Sequence, residues 1–197
     1  MIPEVKRIPG ALYHTVRRGE TLWGISREYG VDLQSLIKAN TILYTGTVET
    51  GQVLLIPRSG ALPKETVTRA VPGESFTWPV RGMLITSYGA LTDKIMSKGI
   101  DIKAADGAGV RASRSGKVVY TDQLLKGFGK TVIIDHGDNY QTVYSYNSDI
   151  VVSVGQQIAQ NTVIARVGRT GRAKGPMLHF EIRRDGEPQN PLYYLPR

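Results

Sequence analysis

Between Leu12 and Pro57 the apolar positions change their spacing twice. The run "LYHTVRR" alternates apolar and polar residues, which predicts a strand. In "GETLWGISREYG", Leu22, Ile25 and Tyr29 fall at helical spacing, Thr21 or Glu20 stands at the N-cap, and Gly30 supplies a stop. "VDLQSLIKAN" repeats the pattern: Asp32 caps, Leu33, Leu36 and Ile37 turn inward, and Asn40 ends the helix. "QVLLIP" is a closing strand ended by Pro57. The predicted order is strand, helix, helix, strand.

From Phe76 onward the pattern is different. "GVRASRSGKVVYTDQLL", "GKTVIIDHGD", "YQTVYSYN", "SVGQQIAQNTVIARVGRTG" and "MLHFEIRR" are short alternating or apolar runs separated by Gly, Asp and Asn. No long helical period occurs, so an all-β unit with closely spaced turns is expected. "IDHGDNYQ" and "RRDGEPQ" read as hairpins, the second around Asp185-Gly186. The stretch between, 58–75, is punctuated by Gly60, Pro63, Pro72 and Gly73 and reads as a semi-extended linker. The expected organisation is a tail at 1–11, a βααβ module at 12–57, the linker, and a mostly-β domain at 76–197, which makes a multidomain α+β protein.

Composition narrows the function classes. No apolar run approaches the ~20 residues of a membrane helix. "MIPEVKRIPG" has no apolar h-region, so it does not read as a signal peptide; the chain is expected to be cytosolic or to have had its leader removed. There is no cysteine, which excludes disulfides and thiolate zinc sites. Net charge is +8, and the excess sits in 76–197, with sixteen basic against ten acidic residues. A basic surface favours an anionic partner: nucleic acid, acidic lipid, cell-wall polymer or acidic protein. No basic stripe interleaved with aromatics and no helix-turn-helix pattern occurs, so nucleic acid is not expected. The plain alternative is that the charge only aids solubility.

The segments "YHTVRRGETLWGISREYGV", "LQSLIKANTI" and "GQVLLIP" together resemble a LysM module. The resemblance implies binding of N-acetylglucosamine-containing glycan, usually peptidoglycan or chitin, in a shallow groove between two loops. Carried over residue by residue, those loops are Gly19, Glu20, Thr21 and Leu22, and Asn40, Thr41, Ile42 and Leu43. Backbone amides at a helix start would bond the acetamide, and Leu22 and Ile42 would cover its methyl. Alternatively Gly19, Thr21 and Asn40 only cap helices. The following loop, "LYTGTVET", is longer than the family's usual spacing.

The runs from "WPVRGMLITSYG" through "SKGIDIKAADGAGVRASRSGKVVY" to "MLHFEIRRDGEPQNPLYYL" resemble a LytM, or lysostaphin-like, zinc metallopeptidase domain. The resemblance implies a compact β-sheet domain with a central groove. Active members hold zinc with a His and an Asp of His-x-Gly-[Ile/Val]-Asp and the second His of His-x-His. Two more histidines, the first of His-x-His and one following a Tyr, handle protons. In this chain the first ligand position is Ser97, the Asp ligand is Asp101, and the second His is His179. Tyr146 in "YSY" and Met177 in "MLH" replace the two proton-handling histidines. One carboxylate and one imidazole are too few for a zinc site. The only other histidines are His14, in the first module, and His136, in the first hairpin. Rescue by His136 would still lack an acid/base pair, since Met carries no proton and Tyr titrates near 10. No cofactor is expected. Alternatively Asp101 and His179 keep ordinary roles: Asp101 would satisfy local backbone or pair with Lys98 or His179, and His179 would be a buried strand histidine.

A LysM module joined to an emptied LytM domain resembles the bacterial amidase activators. That resemblance implies a non-enzymatic protein bound to peptidoglycan that relieves autoinhibition of an N-acetylmuramoyl-L-alanine amidase during daughter-cell separation. Its location would be the cell envelope, as a periplasmic or outer-membrane lipoprotein whose lipid-anchoring cysteine preceded Met1. The vacant groove, lined by Ser97, Lys98, Asp101, Tyr144, Tyr146, Met177 and His179, would dock the partner, since aromatics and Met suit interface cores. Arg166, Arg169, Arg172 and Lys174 would complement an acidic helix. Two alternatives stand beside this reading. One is a divergent zinc endopeptidase using Asp101, His179 and a third ligand; the other is a plain wall-binding scaffold.

Overall fold

The computed structural model describes residues 10–40, 42, 48–57, 74–92, 95–123 and 125–197. The expected tail, but for its last two residues, and the linker, but for Glu74 and Ser75, lie outside that set, as do Thr41 and Leu43 of the second predicted loop. The chain divides into two compact units, Met1–Glu65 and Thr66–Arg197.

In the first unit β1 (Leu12–Thr15) leads to α1 (Leu22–Glu28), α2 (Leu33–Ala39) and β2 (Val53–Ile56), and β1 pairs antiparallel with β2. The caps explain where the helices begin. The Thr21 hydroxyl accepts from the Gly24 N–H at 3.1 Å, and the Asp32 carboxylate accepts from the Ser35 N–H at 2.8 Å. Gly30 ends α1 in the left-handed region, φ +61°. Val16, Leu22, Ile25, Leu36, Ile37 and Leu54 form the core. Asn40 closes α2 onto β2. Its amide donates to the carbonyls of Leu36 and Leu55, and its oxygen accepts from the Leu55 N–H at 2.6 Å.

The second unit is built of strands. They are β3 (Met83–Thr86), β4 (Leu91–Thr92), β5 (Ile95–Met96), β6 (Ile100–Lys103), β7 (Gly109–Arg111), β8 (Gly116–Asp122), β9 (Lys130–Asp135), β10 (Tyr140–Asn147), β11 (Asp149–Ile150), β12 (Gln157–Ile158), β13 (Val163–Arg166), β14 (Met177–Arg184) and β15 (Glu187–Gln189). A 3₁₀ turn, Pro191–Tyr193, follows. The main sheet runs β12-β8-β9-β10-β14-β6-β3, with β15 also paired to β14. A smaller sheet runs β11-β13-β7, and β4 and β5 form a hairpin. Both expected hairpins occur: β9 with β10, and β14 with β15 around Asp185 and Gly186, whose φ of 53° and 83° suit the tight turn.

Strand alternation divides the main sheet into two faces. Leu178, Phe180 and Ile182 of β14, with Ile100 and Ile102 of β6 and Tyr144 of β10, enter the core. The intervening positions of β14 carry Met177, His179, Glu181 and Arg183 to the opposite face. Gly99, just before β6, allows the close approach to β14, because a Cβ there would collide with the Phe180 carbonyl oxygen.

Candidate functional site

The face of β6 and β14 opposite the core brings Asp101 and His179 into register as direct cross-strand partners. His179 Nδ1 lies 2.7 Å from the Asp101 carboxylate, and its Nε2 lies 3.1 Å from Glu181. Arg183 in turn donates to Glu181 at 2.6 Å. The result is a line of alternating charge that begins at the partly exposed Asp101 and ends at buried Arg183 and Glu181. Burial works against charge on His179, but hydrogen bonds and attraction from Asp101 and Glu181 outweigh it and raise its pKa to about 9. Burial also opposes the Glu181 carboxylate, and Arg183 and His179 overcome it, holding Glu181 well below the usual range. His179 is therefore an imidazolium at neutral pH, with both nitrogens donating.

This arrangement does not fit a catalytic zinc centre. Such a centre takes three protein ligands with free lone pairs. Here Asp101 and His179 are the two groups of that set able to ligate, and they bond each other at 2.7 Å. At the third position the Ser97 hydroxyl donates to the Gly99 carbonyl at 2.9 Å. Lys98, beside it, is half-buried. Among the described residues no three His, Cys, Asp or Glu side chains gather as a metal site. His136 is fully buried and bonded to the Ser115 carbonyl and the Thr142 hydroxyl. Burial lowers its pKa to about 4, so it stays neutral. His14 bonds Glu20 and Tyr29 in the first unit.

Tyr146 and Tyr144 part company. Two residues apart on a regular strand, they would share a face. The register shifts between Tyr144 and Asn147, and Tyr146 adopts φ 71°. Tyr146 thereby meets His179, with ring centroids 5.4 Å apart. Tyr144 faces the other way. It is fully buried against Phe180, and its hydroxyl accepts from the Ser113 N–H at 2.8 Å. Tyr144 is thus a core residue and lines no groove, which corrects the expectation for it. Burial, then the charge of Asp101, raises the Tyr146 hydroxyl to about 12 despite Arg172, so it can donate a proton bond but not act as a base. Phe128 stands against His179 at 5.7 Å, and Met177 is half-buried at the end of the row.

Strand β3 and the β4–β5 hairpin carry exposed apolar side chains. Met83 of β3 shares the cross-strand row of Met177 through Lys103. Met83, Leu84, Ile85, Leu91, Ile95 and Met96 are all exposed, and Leu91 is 71% accessible. The sequence gives no sign of this, because an apolar edge strand reads like a buried one.

In the first unit Gly19 is left-handed, φ +83°, with open space around it. The Glu20 carboxylate accepts from the Arg17 N–H at 2.6 Å and lies 2.7 Å from His14 Nε2, so Thr21 alone caps α1. Leu22 and Ile42 are buried in the core, which corrects the expectation that they cover an acetamide methyl.

Comparison with known proteins agrees with both resemblances. Residues 14–57 match the LysM domain, and residues 95–191 match Peptidase family M23. The chain is 34% identical to the lipoprotein YgeR of Escherichia coli, over 95% of this chain and 82% of that protein. It is 32% identical to the lipoprotein NlpD/LppB homolog of Pseudomonas aeruginosa, over 93% and 77%. It is also 38% identical to the murein hydrolase activator NlpD of Escherichia coli, over 65% of this chain but only 33% of the activator. Among solved structures, a zinc-containing peptidase from Vibrio cholerae superposes with a TM-score of 0.55 at 27% identity, over 59% of this chain and 39% of that one.

Proposed function

The chain belongs to the family of YgeR and the NlpD/LppB lipoproteins, and on that premise we propose that it is a non-enzymatic activator of a cell-wall amidase in the bacterial envelope. The observation that carries this reading is the direct Asp101–His179 bond in a peptidase-type sheet whose other positions are Ser97, Tyr146 and Met177. Hydrolysis would need an activated water and a group to move its protons. This face offers an imidazolium, a phenol that stays protonated and a thioether. It lacks the chemistry of a hydrolase and suits a docking surface.

The N-terminal unit anchors the protein on peptidoglycan through Gly19, Glu20 and Thr21 and the loop at 40–43. The partner is an N-acetylmuramoyl-L-alanine amidase, and its regulatory segment lies across Tyr146, Met177 and Asp101. The apolar rim of Met83, Leu91 and Met96 extends that contact, and Lys98 and Arg172 favour an acidic segment. The protein works without zinc.

The test mixes the protein with a purified cognate amidase and dye-labelled sacculi. Dye release rises with the protein present and is unchanged by a chelator added to the activator before mixing and then removed. No rise at any concentration overturns the reading. Stoichiometric zinc in the purified protein, lost in Asp101→Ala, would instead indicate an endopeptidase.

A further inference from the structure

Strand β3 ends the main sheet, and among the described residues it pairs with β6 alone. Its other edge presents backbone N–H and C=O groups with no strand beside them. Proteins commonly blunt such edges with charged residues or proline. Met83-Leu84-Ile85-Thr86 contains neither, though a bulge between Leu84 and Thr86 shifts its register to β6. Met83 is 60% exposed and Leu84 39%. Successive strand residues point to opposite faces, so neither face is closed over at this edge. Of the thirteen large apolar side chains exposed among the described residues, seven lie between Met83 and Met96. Such a concentration marks an interaction site rather than ordinary surface.

The charge around β3 is positive. Lys103 of β6 stands directly opposite Met83, and Arg81 precedes β3 by two residues. Both are exposed, and neither has an ion-pair partner among the described residues. From Phe76 to Thr92 the chain contains no acidic residue. The described carboxylates on either side are engaged elsewhere: Glu74 accepts from Ser115, Asp101 bonds His179, and Asp106 pairs with Arg169.

Three occupants suit exposed apolar residues beside cations: an anionic lipid surface, a second copy of this chain, and an acidic polypeptide. Lipid cannot satisfy the backbone groups of a strand edge. A second copy would bring together two units that each carry sixteen basic against ten acidic residues. A polypeptide strand satisfies the edge, and acidic residues on it answer Arg81 and Lys103. We propose that the free edge of β3 takes an extended, acidic segment of a protein partner as a further strand of the sheet. This rests on the docking reading above and deepens it: the part of the partner that meets β3 is extended and negatively charged. Main-chain hydrogen bonds hold it, and Met83, Leu84 and Ile85 pack against its side chains.

The test titrates the full chain with three synthetic peptides of alternating Val and Thr: one with Asp at both ends, one with Lys there, and the Asp form with alternate backbone amides N-methylated. The first is a fair probe because strand addition takes its affinity from main-chain bonds and tolerates many side chains. The Asp form binds about fivefold tighter than the Lys form, as two exposed charge pairs allow. N-methylation, which removes the donors a ladder needs, abolishes binding. The Arg81→Glu/Lys103→Glu variant, altered only at exposed positions, reverses the preference between Asp and Lys forms. Binding of none of the peptides, equal binding of the Asp and Lys forms, or undiminished binding of the N-methylated form overturns the inference. So does binding of phosphatidylglycerol vesicles in place of the peptides, which would make the edge a membrane contact. Amidase activation by wild type in the dye-release assay, with no peptide bound, overturns this inference alone and leaves the activator reading standing.

Discussion

His179 sits between two carboxylates, with Asp101 at 2.7 Å and Glu181 at 3.1 Å, and they favour its charged form. Its folded pKa of about 9 exceeds the ordinary 6.5, so its contribution to stability is complete below pH 6.5 and is lost as pH rises through 9. His136 behaves in the opposite sense. Its folded pKa of about 4 lies below 6.5, so its contribution is present above pH 6.5 and is lost as pH falls toward 4. The C-terminal unit is therefore expected to be most stable near neutrality. The alkaline limb from His179 amounts to up to about 3 kcal/mol at 1.36 kcal/mol per pKa unit. Urea midpoints measured from pH 4 to 10 check this. A His179→Gln variant should lose the alkaline limb, and a wild-type midpoint flat between pH 6.5 and 9.5 would contradict a charged His179.

At the scale of elements, two contacts hold strands and helices where the sites need them. Gly99 lets β6 lie against β14, and any side chain there meets the Phe180 carbonyl and the Glu181 side chain. Gly99→Ala should cost roughly 2–4 kcal/mol, because the obstruction is backbone that cannot rotate away. It should also separate Asp101 from His179. A thermal melt gives the loss, and a fall of the His179 pKa toward 6.5 by NMR gives the separation. Asn40 joins the end of α2 to β2 with three hydrogen bonds. Asn40→Ala should destabilise the N-terminal unit by about 1–3 kcal/mol. Unchanged melting with weaker glycan binding would make Asn40 a ligand contact first and a structural one second.

For the whole molecule, the proposed function divides anchoring from activation between the two units. A Tyr146→Ala/Met177→Ala variant should lower amidase activation about tenfold, as loss of central interface residues does, and leave sacculus binding unchanged. Tyr146 in particular holds a left-handed conformation that an aromatic residue adopts only at a cost of about 1–2 kcal/mol. Such strain persists where the surroundings over-determine it, often at functional sites. Dye-release assays alongside sedimentation with sacculi separate the two effects, and equal losses in both would point to unfolding rather than docking.

The sequence by itself determined the elements and the chemical inventory. Period and capping residues located both helices, since Thr21 and Asp32 act on groups only three residues away, and the Asp185-Gly186 turn is equally local. The loss of three of five metallopeptidase positions was legible because residue identity alone decides whether a side chain can ligate or carry a proton. What depended on partners distant in sequence was decided only by the tertiary structure. The register shift after Tyr144 reverses the faces of two tyrosines that the alternation would keep together. The bond between Asp101 and His179 spans 78 residues and favours the charged histidine. Burial of Leu22 and Ile42, and exposure of Met83 and Leu91, follow from what packs around each. That neighbourhood is set by the fold as a whole, and no short stretch of sequence contains it.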